Sequence, residues 1–246
     1  MISQIIKIFW YFIKSLGDFR AGGMKYLWYT GLIALGLLLL MAAGVWTFSA
    51  AAGTWLATII PWEWAQQSVV FSFVIGFAVV FLCWILIKYI MLILLGPMLS
   101  VVSEKIETKL KGHAEGQGFS LTGSAVRSVR VNSRNVLREV VMSILLLILS
   151  FIPGINLIAI VLLFIVQSYF AGFGVMDFYL ERHYTFKETV AKVYQHKWAA
   201  IAIGSIFTFL MFIPVLGVAV APYFTTVAAT RYFSEMDIDM KTTKAS

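Results

Sequence analysis

Four arginines sit at helical spacing in the middle of the chain: Arg127, Arg130, Arg134 and Arg138. At about 100° per residue they fall within an arc of roughly 80°, so one helix face carries all four. A guanidinium is planar and permanently charged, and it grips an oxyanion through two parallel hydrogen bonds. Such a stripe has two readings. A membrane-surface helix uses it to hold lipid phosphates, at about 1 kcal/mol per basic residue, while a vestibule uses it to attract anions. Glu104 and Glu107 are expected to pair with these arginines and neutralise them in part.

A second constellation is Arg20-Ala21-Gly22-Gly23-Met24-Lys25, just ahead of a long apolar run. Glycines leave backbone N–H groups accessible, a helix N-terminus adds about half a positive charge, and two cations flank the turn, which together suit an anion. The same residues also suit a hinge with a topology-setting charge pair. Asp177 reads as a helix-end cap, a partner for Arg182 or a gate residue. His113, His183 and His196 have no metal-ligand spacing to one another or to Cys83, so neither metal nor cofactor is expected. There is no phosphate-binding glycine loop, nucleophile elbow or His-Glu-x-x-His motif, and no enzyme is predicted.

The elements that must position these residues are read from hydropathy. The chain has 246 residues, 61% apolar and 13% charged, against about 25% charged in ordinary soluble domains. So little charge cannot cover a soluble globule of this size. An all-α integral membrane protein is predicted, and the net charge of +7 then speaks for anionic lipid and orientation rather than nucleic acid. Cys83 lies in an apolar run and reads as a small buried hydrophobe.

Residues 1–20 form an amphipathic interfacial helix. Ile2, Ile5, Ile6, Phe9, Phe12, Ile13 and Leu16 make its apolar face, and Ser3, Lys7, Tyr11 and Lys14 the other. A first transmembrane helix is expected over 24–52, inside the 37 uncharged residues from Tyr26 to Trp62. Trp55, Trp62 and Trp64 then anchor a headgroup-level segment. A long second span covers 66–111, with Lys88 snorkelling from its end.

Two further apolar blocks, Val140–Met176 and Trp198–Thr230, each carry Phe-Ile-Pro at their midpoint, at Pro153 and Pro214. Proline and glycine there favour a turn, so re-entrant hairpins are predicted over 124–180 and 186–235, with a tail at 236–246. Charge placement agrees. With hairpins that dip and return, every Lys and Arg except Lys88 lies on one side, as the positive-inside trend prefers.

These motifs resemble the CysZ sulfate permeases, in a superfamily that includes the etoposide-induced membrane proteins of eukaryotes. The resemblance rests on Phe151 to Ile155, Asp177, Phe186-Lys187-Glu188, Ile213-Pro214, Ala229-Thr230-Arg231-Tyr232, and the Pro97 stretch with Glu104 and Glu107. It implies a multi-pass bacterial inner-membrane protein that brings in sulfate or a related oxyanion for sulfur assimilation and cysteine synthesis. It also implies two long transmembrane helices with two hemi-penetrating helical hairpins, assembled as a homo-oligomer among membrane lipids. The family's anion turn, Gly-x-Arg-Arg, corresponds to Gly23-Met24-Lys25-Tyr26, so lysine stands for one arginine and tyrosine for the other. On this reading Arg20, Gly23 and Lys25 bind the substrate, and Arg130 and Arg134, biased by Glu104 and Glu107, line its path. The alternative is a non-transporting membrane scaffold or assembly protein of the same superfamily.

Overall fold

The computed structural model describes residues 2–18, 28–29, 31–33, 35–40, 42–44, 69–114, 121–213 and 216–245. Arg20, Gly23, Lys25, the tryptophan-rich 53–67 segment and Pro214 therefore lie outside the described residues, as does most of the expected first span. What is described there is a short apolar helix, Gly31–Gly44.

The described residues fold as helices and contain no strand. The named helices are α1 (Ile2–Asp18), α2 (Val69–Lys111), α3 (Leu121–Leu149), α4 (Asn156–His183), α5 (Phe186–Gln195), α6 (Lys197–Met211) and α7 (Leu216–Ala245). The Val80–Lys111 part of α2 and all of α4 are long and apolar enough to cross a bilayer. α2 contains Pro97 without ending there.

Chain reversal at Pro153 is achieved by a tight turn. Gly154 sits at φ +88°, a left-handed conformation that side chains with a Cβ resist. The Ile155 N–H then donates to the Ile152 carbonyl at 3.1 Å, and α4 begins. α3 and α4 run antiparallel, as the contacts of Ser124 with Glu181 and Arg127 with Asp177 show. Both helices outrun the uncharged block, because α3 continues back through Glu139 to Leu121.

The core lies among α2, α4, α6 and α7, where Leu92, Leu95, Leu99, Phe173, Phe178, Tyr179 and Phe207 are fully buried. Burying a large aromatic or aliphatic side chain is worth about 1.5–3 kcal/mol. Around the α3–α4 turn the pattern inverts. Val141, Ile144, Leu145, Ile148, Phe151, Leu157, Ile158, Ile160, Val161 and Leu162 are all exposed. The α6–α7 turn does likewise with Phe209, Phe212 and Ile213. Exposed apolar surface this contiguous is incompatible with water and suits lipid.

α1 corrects one expectation. Its apolar residues do not share a single lipid-facing side. Ile5, Ile8, Tyr11 and Phe12 pack against the protein, with Tyr11 edge-on to Tyr232 at 6.3 Å and Phe12 to Phe224 at 6.5 Å. Ile2, Ile6, Phe9, Ile13 and Leu16 face outward. Tyr11, expected on the polar face, is buried because its ring fills the gap beside Tyr232.

α5 is started by a capping box. The Glu188 carboxylate accepts from the Thr185 N–H and from the Thr185 hydroxyl, both at 2.8 Å. Those two bonds hold the Glu188 carboxyl below its ordinary range. A carboxyl depressed on folding stabilises above its unfolded pKa, and loses that contribution as pH falls through the folded one. Amide exchange at the start of α5 is expected to accelerate on acidification below the usual carboxylate range, and Glu188→Gln to abolish that pH dependence.

Candidate anion-binding site

The arginine stripe forms on α3 as the spacing requires, but its members do different things. Arg127 is consumed by structure. Its Nη2 pairs with Asp177 at 2.8 Å and donates to Thr189 Oγ1 at 2.7 Å, while Nη1 donates to the Tyr184 carbonyl at 2.8 Å. It thereby ties α3 to α4, α5 and the linker between them. Asp177 is accordingly the partner of Arg127, not of Arg182, because α4 runs back alongside α3.

Arg130 and Arg134 have no carboxylate partner among the described residues. The Arg130 guanidinium lies 4.8 Å from the Phe186 ring centroid. That of Arg134 lies 5.4 Å from Phe173 and 5.7 Å from Phe186. Stacking holds a guanidinium in place through the ring quadrupole while leaving its N–H edge available. Arg130 is exposed, Arg134 half-buried and Arg138 exposed. A cleft of about 500 Å³ opens here, lined by Thr122, Gly123, Val126, Arg127, Arg130 and Phe186. Phe186 reaches the cleft because the capping box fixes the first turn of α5.

The expectation that Glu104 and Glu107 pair with the stripe is not met. Glu107 is fully buried and meets Arg182 at 3.0 Å, Lys111 at 3.0 Å and His183 at 3.1 Å. Lys111 also reaches Asp237 at 3.1 Å, and the Tyr179 hydroxyl donates to the same carboxylate at 2.7 Å. Glu104 is half-buried, and its field acts on Arg182. Glu107 and Asp237 thus balance Arg182 and Lys111 inside a knot joining α2, α4 and α7, with Glu104 beside it. Such a cluster has little charge to offer an anion, whereas Arg130 and Arg134 keep theirs.

Lys88 is the largest correction. It does not snorkel. It is 2% exposed and binds both Glu139 oxygens, at 2.6 and 2.7 Å, with the Tyr89 hydroxyl donating to the same carboxylate at 2.5 Å. The signal was present in the sequence: Lys88 is isolated in one apolar stretch and Glu139 stands at the edge of another. Two lone opposite charges beside lipid-facing segments have reason to meet. Cys83 is half-buried. Among the described residues, no three His, Cys, Asp or Glu side chains are grouped to hold a metal.

Long apolar helices and exposed apolar turns define an all-α integral membrane protein. Residues 11–222 match the family described as sulfate transporter CysZ/etoposide-induced protein 2.4, and the chain belongs to that family. The sulfate transporter CysZ of Pseudomonas aeruginosa, in each of two strains, is 25% identical over 134 residues. The match takes in 53% of this chain and 54% of the relative, so the chain spans about half the length of the relatives it matches.

Proposed function

We propose that this protein is a permease or channel for sulfate or a related oxyanion in the bacterial inner membrane, supplying sulfur assimilation and cysteine synthesis. The observation that carries the reading is the Arg130 guanidinium, exposed at a cleft and stacked on Phe186 without a carboxylate partner among the described residues. Arg134 continues the stripe. Arg20, Gly23 and Lys25, adjacent in sequence to the first span, are the proposed capture residues. Glu104 and Glu107 take part indirectly, by holding Arg182 and Lys111 in the knot. Membership of the sulfate transporter family supports the substrate class.

The hairpin layout belongs to this proposal. From Val141 to the α3 end, and from Ile155 to Ile165, the exposed apolar arms run about 14 Å at 1.5 Å per residue. A hydrocarbon core is about 30 Å thick, so arms of that length reach near its middle and return. The basic residues then stay on one side, and copies of the chain pack around the tips to shield the turns.

Radiolabelled sulfate flux into proteoliposomes tests the reading. Wild type is expected to exceed empty liposomes clearly. A charge-assisted hydrogen bond is worth about 1.5–3 kcal/mol, so Arg130→Ala and Lys25→Ala are each expected to lower flux at least about ten-fold. Wild-type flux equal to that of empty liposomes would reject transport. The outward apolar face of α1 favours the second reading, a leaflet-wedging scaffold, and liposome deformation without flux would support it instead.

A further inference from the structure

α3 carries a second stripe that the arginines do not use. Ser124, Ser128, Asn132, Asn135, Glu139 and Ser143 repeat at spacings of three and four and share an arc of about 100°. The arginines lie on the neighbouring face. Every member of this second stripe is at most 6% exposed. It runs about 28 Å along the helix, against α2 and α4.

Buried polar atoms ordinarily find partners. Here Ser128 Oγ, Asn132 Oδ1, Asn135 Nδ2 and Ser143 Oγ have none among the described residues, and neither does Glu181 Oε2 across the interface on α4. Interhelical glue is confined to two members of the stripe: Ser124 bonds across to Ser100 at 2.9 Å and to Glu181 at 2.8 Å, and Glu139 bonds Lys88. Opposite Ser128 and Asn132 the surfaces are smooth instead. Gly96 of α2 faces Ser128, and Gly174 of α4 faces Asn132, each so closely that a Cβ would collide. No side chain interlocks through the glycine positions themselves, although the buried Phe178 and Leu92 lie beside them, and separation would hydrate five atoms that lack a partner among the described residues. Glu139, fixed by Lys88, lies towards the far end of the stripe.

We infer that this seam is a closed form of a hydrophilic route within a single subunit, and that α3 parts from α2 and α4 to admit water and small hydrophilic ions along it. The inference rests on the transport reading for the identity of the ion, but the opening itself is independent of it.

The test uses full-length protein in lipid nanodiscs. In a Cys83→Ser background, Asn132→Cys and Asn135→Cys are expected to react with a charged methanethiosulfonate within about ten-fold of the exposed control Ser133→Cys. Protection of a thousand-fold or more would overturn the proposal. Wild-type protein provides a check free of substitution. Hydroxyl radicals are expected to oxidise Tyr89, at the seam, at least ten-fold faster than the buried Phe207, and equal protection would overturn it. Finally, Ser128→Ala with Ser143→Ala is expected to raise the melting temperature by a few degrees while lowering flux several-fold. A lower melting temperature would show the hydroxyls to be glue and sink the idea. Wild type that passes no oxyanion would reject the transport reading, while labelling would still decide whether the seam opens.

Discussion

Lys88→Met alone, or Glu139→Leu alone, is expected to destabilise the protein by about 3–5 kcal/mol, and the double replacement to recover most of that loss. Lys88 and Glu139 are 2% and 0% exposed, so while the seam is closed either charge left alone is cut off from water. Their mutual contact at 2.6 Å compensates two desolvation penalties at once. Removing one partner strands the other, and removing Glu139 also takes the acceptor from the Tyr89 hydroxyl. Removing both leaves two apolar side chains of similar size in an apolar setting. For a chain of this length each kcal/mol moves the melting temperature by roughly 2–4 °C. Single variants should therefore melt about 6–20 °C below wild type in detergent, and the double variant close to it. A double variant as fragile as either single would show that the pair is not an isolated charge couple.

That pair also shows what a sequence yields and what it withholds. The uncharged run around Pro153 announced apolar helices interrupted by a turn, and the Pro153-Gly154 turn is where the hydropathy pattern placed it, while Pro214 lies outside the described residues. Local chemistry decided these features, so they were legible. The same holds for the arc of Arg127 to Arg138, which helical periodicity alone dictates. Partner choice was not legible, because it depends on which helices lie side by side. Arg182 chose Glu107 and Arg127 chose Asp177 once α4 folded back along α3. His183 looked idle until α2 delivered Glu107 to it. In α1 five of the seven residues read as the apolar face do point outward, while Ile5 and Phe12 turn to the protein and Tyr11, read as polar, is buried against Tyr232.

The division of labour among cations follows from those pairings. Arg182 and Lys111 sit inside a balanced knot, and Arg127 is tied to Asp177. An incoming anion would have to displace a carboxylate from any of them. Arg130 and Arg134 are held by aromatic rings instead, and a ring surrenders nothing when an oxyanion approaches the guanidinium edge. Stacking thus positions charge without spending it, which is why the cleft beside Phe186 is the stronger candidate than the more heavily charged knot.

A very close backbone approach between α4 and α6 sets the second large expectation. Ser168 and Gly172 on α4 meet Ala200 and Gly204 on α6, small residues four apart on both sides. This spacing lets helices touch through their backbones, a common basis of association in lipid. A Cβ at Gly204 would stand 1.7 Å from the Ser168 carbonyl oxygen, and one at Gly172 1.9 Å from that of Ala200. In each case the obstacle is backbone, so no rotamer change relieves it and the helices must separate. Overpacking a core usually costs about 1–3 kcal/mol when side chains can adjust. With none able to, Gly204→Ala is expected to cost about 3 kcal/mol or more, and Gly204→Leu to yield no monodisperse protein on size exclusion. Gly36→Ala is the matched control: no atom of the described residues lies within 4 Å of its Cβ position, and alanine favours a helix over glycine by about 1 kcal/mol. It should melt at or above the wild-type temperature. If Gly204→Ala melts with wild type, the two helices do not meet as closely as these distances require, and the antiparallel packing of α4 on α6 would have to be redrawn.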